Sequence, residues 1–591
     1  MTASTVAKAS ASTAKSSSPR SPEPGSEIPI QRSAPSSAPV TAREGVTDTA
    51  TETGEVPAKG MLHGLRTSTR QASVMLRTTA QLSRDLTKVA LGTDEVQLDR
   101  NDRRFSDHLW QTNPLYRRLG QNYAAVDAAL TRLVADWAET GADWRDVERL
   151  QFLADATSAV MAPTNTLLGN PAALRRAVSS RGRSLLRGAA QFSHDVLRNG
   201  GMPTQTDRHA FTVGQDLAVT PGAVVARDDV AELVQYKPTT ETVRHRPLLI
   251  VPPPIGRYYV LDLRPGRSFV EYAVSRGIQV FVLSWRNPGP AQRDWNLDTY
   301  AQRILDAIDT VTSICETDDV NTIGFCAGGQ LQSTVLSHLA GQQQPRIANA
   351  AFAVTLLDFD VPAPIGAFSS PMLLELARVN SRTRGVLDGP TLGAVFSWMR
   401  PTELVTNYWV SGWLMGEQPP AFDILAWNSD STNLPAGLHD QFLTVWQQNA
   451  LTKPGKLTVL DKPVDLSRVE VPTFVMGALT DHLTPWKGCY RTTQMLSGPS
   501  TFVLSNSGHI AGLVNPPGGK KASYWTGAVP GGDADRWRET AVEHRGSWWE
   551  AWAEWTLERS GHEVSSPDDL GSASWPVLAD APGQYVLAPA A

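Results

Sequence analysis

The sequence predicts an α/β fold: a parallel sheet covered on both faces by helices, behind a mostly helical N-terminal region. Three observations predict it. Short, apolar, β-branched runs such as Pro247–Val251 and Gln279–Ser284 alternate with helical stretches such as Leu297–Val311 and Leu331–Leu339, and strands alternating with helices specify a parallel sheet buried on both sides. One apolar run, Val320 to Ile323, feeds a Gly-x-Cys-x-Gly-Gly turn that opens a helix. Two later strand-like runs each end in a polar loop carrying an acid or a histidine.

The first 60 of the 591 residues contain no Phe, Trp or Tyr and are rich in Ser, Ala, Thr and Pro, with six basic and six acidic side chains. Such a segment buries too little apolar area to offset chain entropy, so a disordered, solvated head is expected over 1–60. From Met61 the texture changes. Leu82, Leu86 and Val89, and after Pro114 the series Leu115, Leu119, Val126, Leu130, Leu133 and Trp137, recur at three- to four-residue spacing. Residues 61–235 therefore read as a mostly helical domain, with a break around Ala162-Pro163-Thr164-Asn165. Residues 236–591 read as one α/β catalytic domain with a C-terminal tail. About 120 residues separate Asp358 from Asp481, more than one strand-helix unit needs. A cap at about 360–465 is expected there, containing Trp409, Trp413, Trp427 and Trp446.

Composition limits the function classes. A net charge of −5 argues against nucleic-acid binding. No run reaches the roughly 18 apolar residues of a membrane span, and Met1 to Ser18 lacks the apolar core of a secretory signal. The three cysteines, Cys315, Cys326 and Cys489, do not make a disulfide framework and fit a reducing, cytoplasmic setting.

The chemistry centres on Gly324-Phe325-Cys326-Ala327-Gly328-Gly329. A strand running into this turn, with a helix behind it, is the nucleophile elbow of α/β-hydrolases with Cys in place of Ser. Gly324, Gly328 and Gly329 give the tight turn its room. The helix N-terminus behind Cys326 favours a thiolate. An elbow nucleophile needs an acid and a base, in that chain order. Asp481 follows the strand-like run Val471–Ala478, and His509 follows Thr501–Leu504. His482 competes as base and Asp358 as acid. The oxyanion hole is expected to use the N–H of Ala327 and a donor from an earlier loop. In Pro252-Pro253-Pro254-Ile255 the prolines have no N–H, so Ile255 is the first candidate. Cys315 and Cys489 read as inert structural thiols. A thiolate exchanges one thioester for another with little free-energy change, so a Cys elbow suits acyl transfer from a CoA-type thioester to an alcohol.

The residues that carry a family resemblance are now in view: the Gly324–Gly329 box, Asp481-His482 with Pro485-Trp486, and Ser507-Gly508-His509-Ile510-Ala511-Gly512. With them go Leu283-Ser284-Trp285-Arg286-Asn287-Pro288, Leu356-Leu357-Asp358-Phe359, Pro420-Ala421-Phe422-Asp423 leading to Trp427-Asn428, Asp102-Arg103-Arg104-Phe105 and Gly546-Ser547-Trp548-Trp549. From about residue 100 onward the chain resembles the polyhydroxyalkanoate synthases, and its long form and Gly324 are similar to the class I, single-subunit type. The resemblance implies an acyltransferase that polymerises (R)-3-hydroxyacyl-CoA, with 3-hydroxybutyryl-CoA the expected unit. Cys326 would carry the acyl group, His509 would deprotonate it and Asp481 would orient His509. It also implies a homodimer, a growing polyester chain and granule surface as partners, and no metal or other cofactor, CoA being the leaving group. The family often has Cys-Ile-Asn-Lys where this chain has Pro254-Ile255-Gly256-Arg257. A Cys-nucleophile thioesterase or polyester hydrolase is the alternative enzyme, and a non-catalytic granule-coat protein is the alternative outside enzymes.

Overall fold

The computed structural model describes residues 58–93, 98–99, 101–529 and 531–588. The expected head at 1–60 therefore lies almost wholly outside the described residues. The N-terminal region is helical, as its spacing predicts: α1 (Ala58–Leu91), α2 (Pro114–Ala138), α3 (Trp144–Met161), α4 (Pro171–Ser179) and α5 (Arg183–Arg198). Asn113 starts α2. Its side chain accepts the N–H groups of Leu115 and Tyr116, and Pro114 occupies the first turn, where a missing N–H costs nothing. Helix α3 stops before Pro163, at the break expected from Ala162-Pro163-Thr164-Asn165.

The face that α2 buries holds part of its aliphatic series together with aromatics outside that series. Leu115 is exposed, whereas Tyr116, Gly120, Tyr123, Ala129 and Leu133 are buried. Tyr116, Tyr123, Phe105 and Trp110 form a small aromatic core, with Phe105 and Trp110 edge to face at 4.8 Å. Buried aromatics contribute more area than leucines and find partners for their hydroxyls. Tyr116 donates to the Leu168 carbonyl, and Tyr123 reaches Ser158.

The catalytic part is one eleven-stranded sheet. Its strands in chain order are β1 (Gly222–Arg227), β2 (Ala231–Tyr236), β3 (Leu248–Val251), β4 (Val280–Trp285), β5 (Val320–Phe325), β6 (Ile347–Ala353), β7 (Thr473–Ala478), β8 (Ser500–Ser505), β9 (Ser523–Gly527), β10 (Val542–Arg545) and β11 (Ala579–Asp580). Their spatial order is β10-β9-β8-β7-β6-β5-β3-β4-β2-β1-β11. The six strands from β8 to β4 are parallel, and both flanks are antiparallel. Alternate residues of one strand serve opposite cores. Leu249 and Val251 of β3 face one layer with Phe281 and Leu283; Leu248 and Ile250 face the other with Val280 and Val282.

The expected domain boundary at 235/236 is corrected by β1 and β2. Both belong to the sheet, β2 pairing antiparallel with β4, so the sheet begins at Gly222. The turn between them, Asp228–Val230, is charged, and it masks two short apolar runs. The helices also pack on the segment between β6 and β7, where the cap was expected. Phe152 of α3 meets Phe368 edge to face at 5.0 Å. Trp413 donates to the buried Asp195 carboxylate of α5 at 2.8 Å and packs on Phe192. Residues His63–Ala591 form one compact unit. Among the described residues, no helix is long and apolar enough to cross a membrane.

The buried face of α2 is testable. Tyr116→Ala should cost about 3 kcal/mol in denaturant unfolding, and Leu115→Ser should stay within about 0.5 kcal/mol. Equal effects would return Leu115 to the core.

Candidate active site

Strand β5 delivers Cys326 into a turn with φ 50° and ψ −123°, a sparsely populated conformation for a residue with a side chain. Helix α6 (Leu297–Cys315) precedes β5, and α7 (Ala327–Gln342) starts directly behind the thiol. The turn closes because three glycines let backbones touch. A Cβ on Gly324 would lie 2.5 Å from the Gly329 Cα. One on Gly328 would strike the Val251 carbonyl and lie 2.7 Å from the Pro252 carbonyl carbon, and one on Gly329 would drive into Thr355. The Cys326 N–H donates to the Ala353 carbonyl at 3.0 Å. Thr355 Oγ1 lies 3.1 Å from the Cys326 carbonyl and 3.4 Å from that of Gly324, bracing the turn from the end of β6.

The candidate acid and base follow β7 and β8. Asp481 lies in the loop after β7, and His509 begins the short helix His509–Leu513 after β8. Both stand at the carboxyl edge of the sheet, where parallel strands place their sites. His509 Nδ1 is 2.7 Å from Asp481 Oδ2. With Nδ1 committed there, the other ring nitrogen is left for Cys326, which is close enough for its charge to raise the imidazole. The sequence-predicted Cys326, His509 and Asp481 thus come together at one edge of the sheet, with His509 and Asp481 joined by a hydrogen bond.

Asp481 is almost fully buried and saturated with donors. Its Oδ1 accepts the N–H groups of Leu483 and Thr484 at 2.8 and 2.9 Å, and its Oδ2 accepts the Thr484 hydroxyl at 2.7 Å. Burial alone would raise this carboxyl; His509 and the Thr484 donors outweigh it and hold it below the ordinary carboxylate value. Burial would likewise lower His509, but Asp481 and Cys326 prevail and raise it. Asp481 therefore fixes the orientation of the imidazole through Nδ1 and strengthens its hold on a proton. Thr484, which sequence reasoning missed, also sits 3.2 Å from His509 Nδ1. Its only signal in the sequence is its place three residues after Asp481.

The competing candidates are placed elsewhere or held neutral. Asp358 binds Arg491 at 2.8 Å and accepts from Asn449 and the Asp360 N–H, so it anchors a loop and does not meet His509. His482 is pushed down to about 4 by burial and by Arg400 of the inserted segment. Burial pushes Cys315 up to about 12 and raises Cys489 well above the ordinary thiol value, keeping both protonated. Cys489 packs directly beneath the acid, its Sγ 3.5 Å from the Thr484 carbonyl. For the oxyanion hole, Ala327 is the first residue of α7, and Val251 pairs with Gly324, so the loop beginning at Pro252 starts beside the elbow. Among the described residues, no His, Cys, Asp and Glu cluster is arranged to hold a metal.

Comparison with known proteins agrees with this architecture. The model described as Poly-beta-hydroxybutyrate polymerase (PhaC) N-terminus matches residues 101–273, and the one described as alpha/beta hydrolase fold matches residues 259–516. Poly(3-hydroxyalkanoate) polymerase 1 of Ectopseudomonas oleovorans is 41% identical over 523 residues, covering 88% of this chain and 93% of that protein. The chain belongs to the poly(3-hydroxyalkanoate) polymerase family. Polymerase 2 of the same organism is 43% identical across 86% of this chain and 90% of its own length. The poly(3-hydroxyalkanoate) polymerase subunit PhaC of Cupriavidus necator is 39% identical across 85% and 86%. Such coverage places the N-terminal helices and the hydrolase-like sheet in one family unit.

Asp481→Asn should remove the charge that holds a proton on His509. The His509 pKa should fall, and alkylation of Cys326 by iodoacetamide at neutral pH should slow by roughly 10-fold or more. An unchanged histidine titration by NMR would mean that Asp481 is not its partner. Cys489→Ala should keep the wild-type alkylation rate within about twofold if only the Cys326 thiol is reactive.

Proposed function

We propose that this chain polymerises (R)-3-hydroxyacyl groups from CoA thioesters into polyester, with Cys326 as nucleophile, His509 as general base and acid, and Asp481 as its orienting carboxylate. The observation that carries this reading is the hydrogen-bonded His509–Asp481 pair next to Cys326 at an α/β-hydrolase elbow, in a chain of the polymerase family. His509 takes the thiol proton. The Cys326 thiolate attacks the thioester carbonyl, and the oxyanion forms between the N–H groups of Ala327 and Ile255. CoA leaves as a thiol with the proton from His509, and the acyl group rests on Cys326.

Elongation follows from the same parts. His509 deprotonates the 3-hydroxyl of an incoming unit, whose oxygen attacks the Cys326-bound thioester. An ester bond forms, the thiolate leaves, and the lengthened chain rests on the incoming CoA. Cys326 takes the chain back by thioester exchange, releasing that CoA. Thioester exchange is nearly neutral and ester formation from a thioester is downhill, so each cycle runs forward. No cofactor enters this cycle. Sheltering the Cys326-bound acyl group from water separates this outcome from that of a hydrolase.

Short units, 3-hydroxybutyryl above all, are the proposed substrate. A homodimer in the cytoplasm and at the granule surface completes the proposal. The exposed side chains of Met372, Leu376 and Val379 on one helix of the inserted segment, and of Leu153, Met161, Leu186 and Leu197 in α3 and α5, supply apolar surface for such contacts.

Purified protein given (R)-3-hydroxybutyryl-CoA should release CoA and deposit polyester, and Cys326→Ala should lower turnover by about 10⁴-fold or more. Release of free 3-hydroxybutyrate with no polymer would establish a hydrolase instead. Asp358→Asn should retain far more activity than Asp481→Asn.

A further inference from the structure

The loop that carries the second oxyanion donor is held from outside itself. It leaves β3 at Val251, beside the elbow, and runs Pro252-Pro253-Pro254-Ile255-Gly256-Arg257. The Thr432 hydroxyl brackets Ile255 on both sides: it accepts the Gly256 N–H at 2.7 Å and donates to the Pro254 carbonyl at 3.1 Å. The Trp427 indole N–H donates to the Arg257 carbonyl at 2.8 Å. That indole lies 3.0 Å from where a Cβ on Gly256 would stand, and Gly256 has φ +93°. The Arg257 guanidinium is 1% exposed, against Asp430 at 3.3 Å, the Tyr585 carbonyl at 2.9 Å and the Ala588 carbonyl.

Thr432, Trp427 and Asp430 all belong to the segment inserted between β6 and β7, and Tyr585 and Ala588 to the C-terminal tail. Three consecutive prolines supply no N–H with which the loop might fasten itself. A hydroxyl buried with one donor and one acceptor partner fixes both neighbours of Ile255. Losing it strands the Gly256 N–H and the Pro254 carbonyl in a buried place.

We infer that Thr432 and Arg257 are positioning residues for the Ile255 N–H, so that the aim of the second oxyanion donor depends on the seating of the inserted segment and the C-terminal tail. This rests on the proposed roles of Cys326 and Ile255. It makes oxyanion stabilisation, and hence acylation, answer to contacts remote from the thiol. The His509–Asp481 pair, held by its own loop, is independent of them.

The test compares two reactions of the same thiol in the full-length enzyme. Acylation by 3-hydroxybutyryl-CoA, read as the burst of CoA release, develops an oxyanion. Alkylation by iodoacetamide displaces iodide at a saturated carbon and develops none. Thr432→Val should slow acylation by about 10- to 100-fold, somewhat less than outright loss of a donor, while alkylation stays within about twofold. Thr432→Ser should restore acylation. Asp430→Asn, which loosens Arg257, should show the same split and serves if Thr432→Val does not fold. Unchanged acylation in folded Thr432→Val and Asp430→Asn, equal slowing of both reactions, or failure of Thr432→Ser to rescue would each overturn the inference while leaving Cys326 as nucleophile. A wild-type enzyme that releases CoA without acylating Cys326 would overturn the proposed function, and this inference with it.

Discussion

The structure depends on one steric constraint, the approach of backbone to backbone around Cys326. Strand β5 must hand over to α7 within a single residue at φ 50°. That is possible only because Gly324, Gly328 and Gly329 present no Cβ to each other, to the Val251–Pro252 backbone or to Thr355. The crowding lifts the thiol clear of the sheet edge and puts the start of α7 behind it. It also brings the end of β3 against the elbow, so the Pro252–Arg257 loop, proposed to carry the second oxyanion donor, begins beside Cys326. Parallel pairing of β5 with β6, β6 with β7 and β7 with β8 then brings the loops of Asp481 and His509 to the same edge.

Electrostatics turns that geometry into a working order. A buried carboxylate is costly unless its oxygens are satisfied. Asp481 meets this condition with two backbone N–H groups, the Thr484 hydroxyl and His509. The same contacts hold the imidazole by Nδ1 and leave its other nitrogen to the thiol. Asp358 satisfies its own charge with Arg491 and Asn449. Desolvation raises Cys315 and Cys489 and holds both thiols protonated.

Much of this was legible in the sequence because its signals are local. Gly-x-Cys-x-Gly-Gly after an apolar run, and an acid and a histidine in loops after two later runs, name their own places on a parallel sheet. What stayed hidden depends on contacts across the chain. Thr355, Thr484 and Thr432 are unremarkable threonines until the fold sets them against the elbow, the acid and the Pro254–Gly256 loop. The boundary at 235/236 was misplaced because β1 and β2 are short apolar runs around a charged turn, and only pairing with β4 makes them part of the sheet. On α2 the aliphatic series leaves out Tyr116 and Tyr123, which are buried on the helix as Leu133 is.

The central claim is that Cys326, lifted by the elbow and served by His509, carries the acyl group as a thioester. Peptide mass spectrometry after rapid acid quench of the enzyme with (R)-3-hydroxybutyryl-CoA tests it most directly. The account predicts a 3-hydroxybutyryl adduct on the peptide containing Cys326, released by neutral hydroxylamine, and none on Cys315 or Cys489. An adduct on another residue, or CoA release and polymer growth with Cys326 unmodified at every quench time, would contradict it.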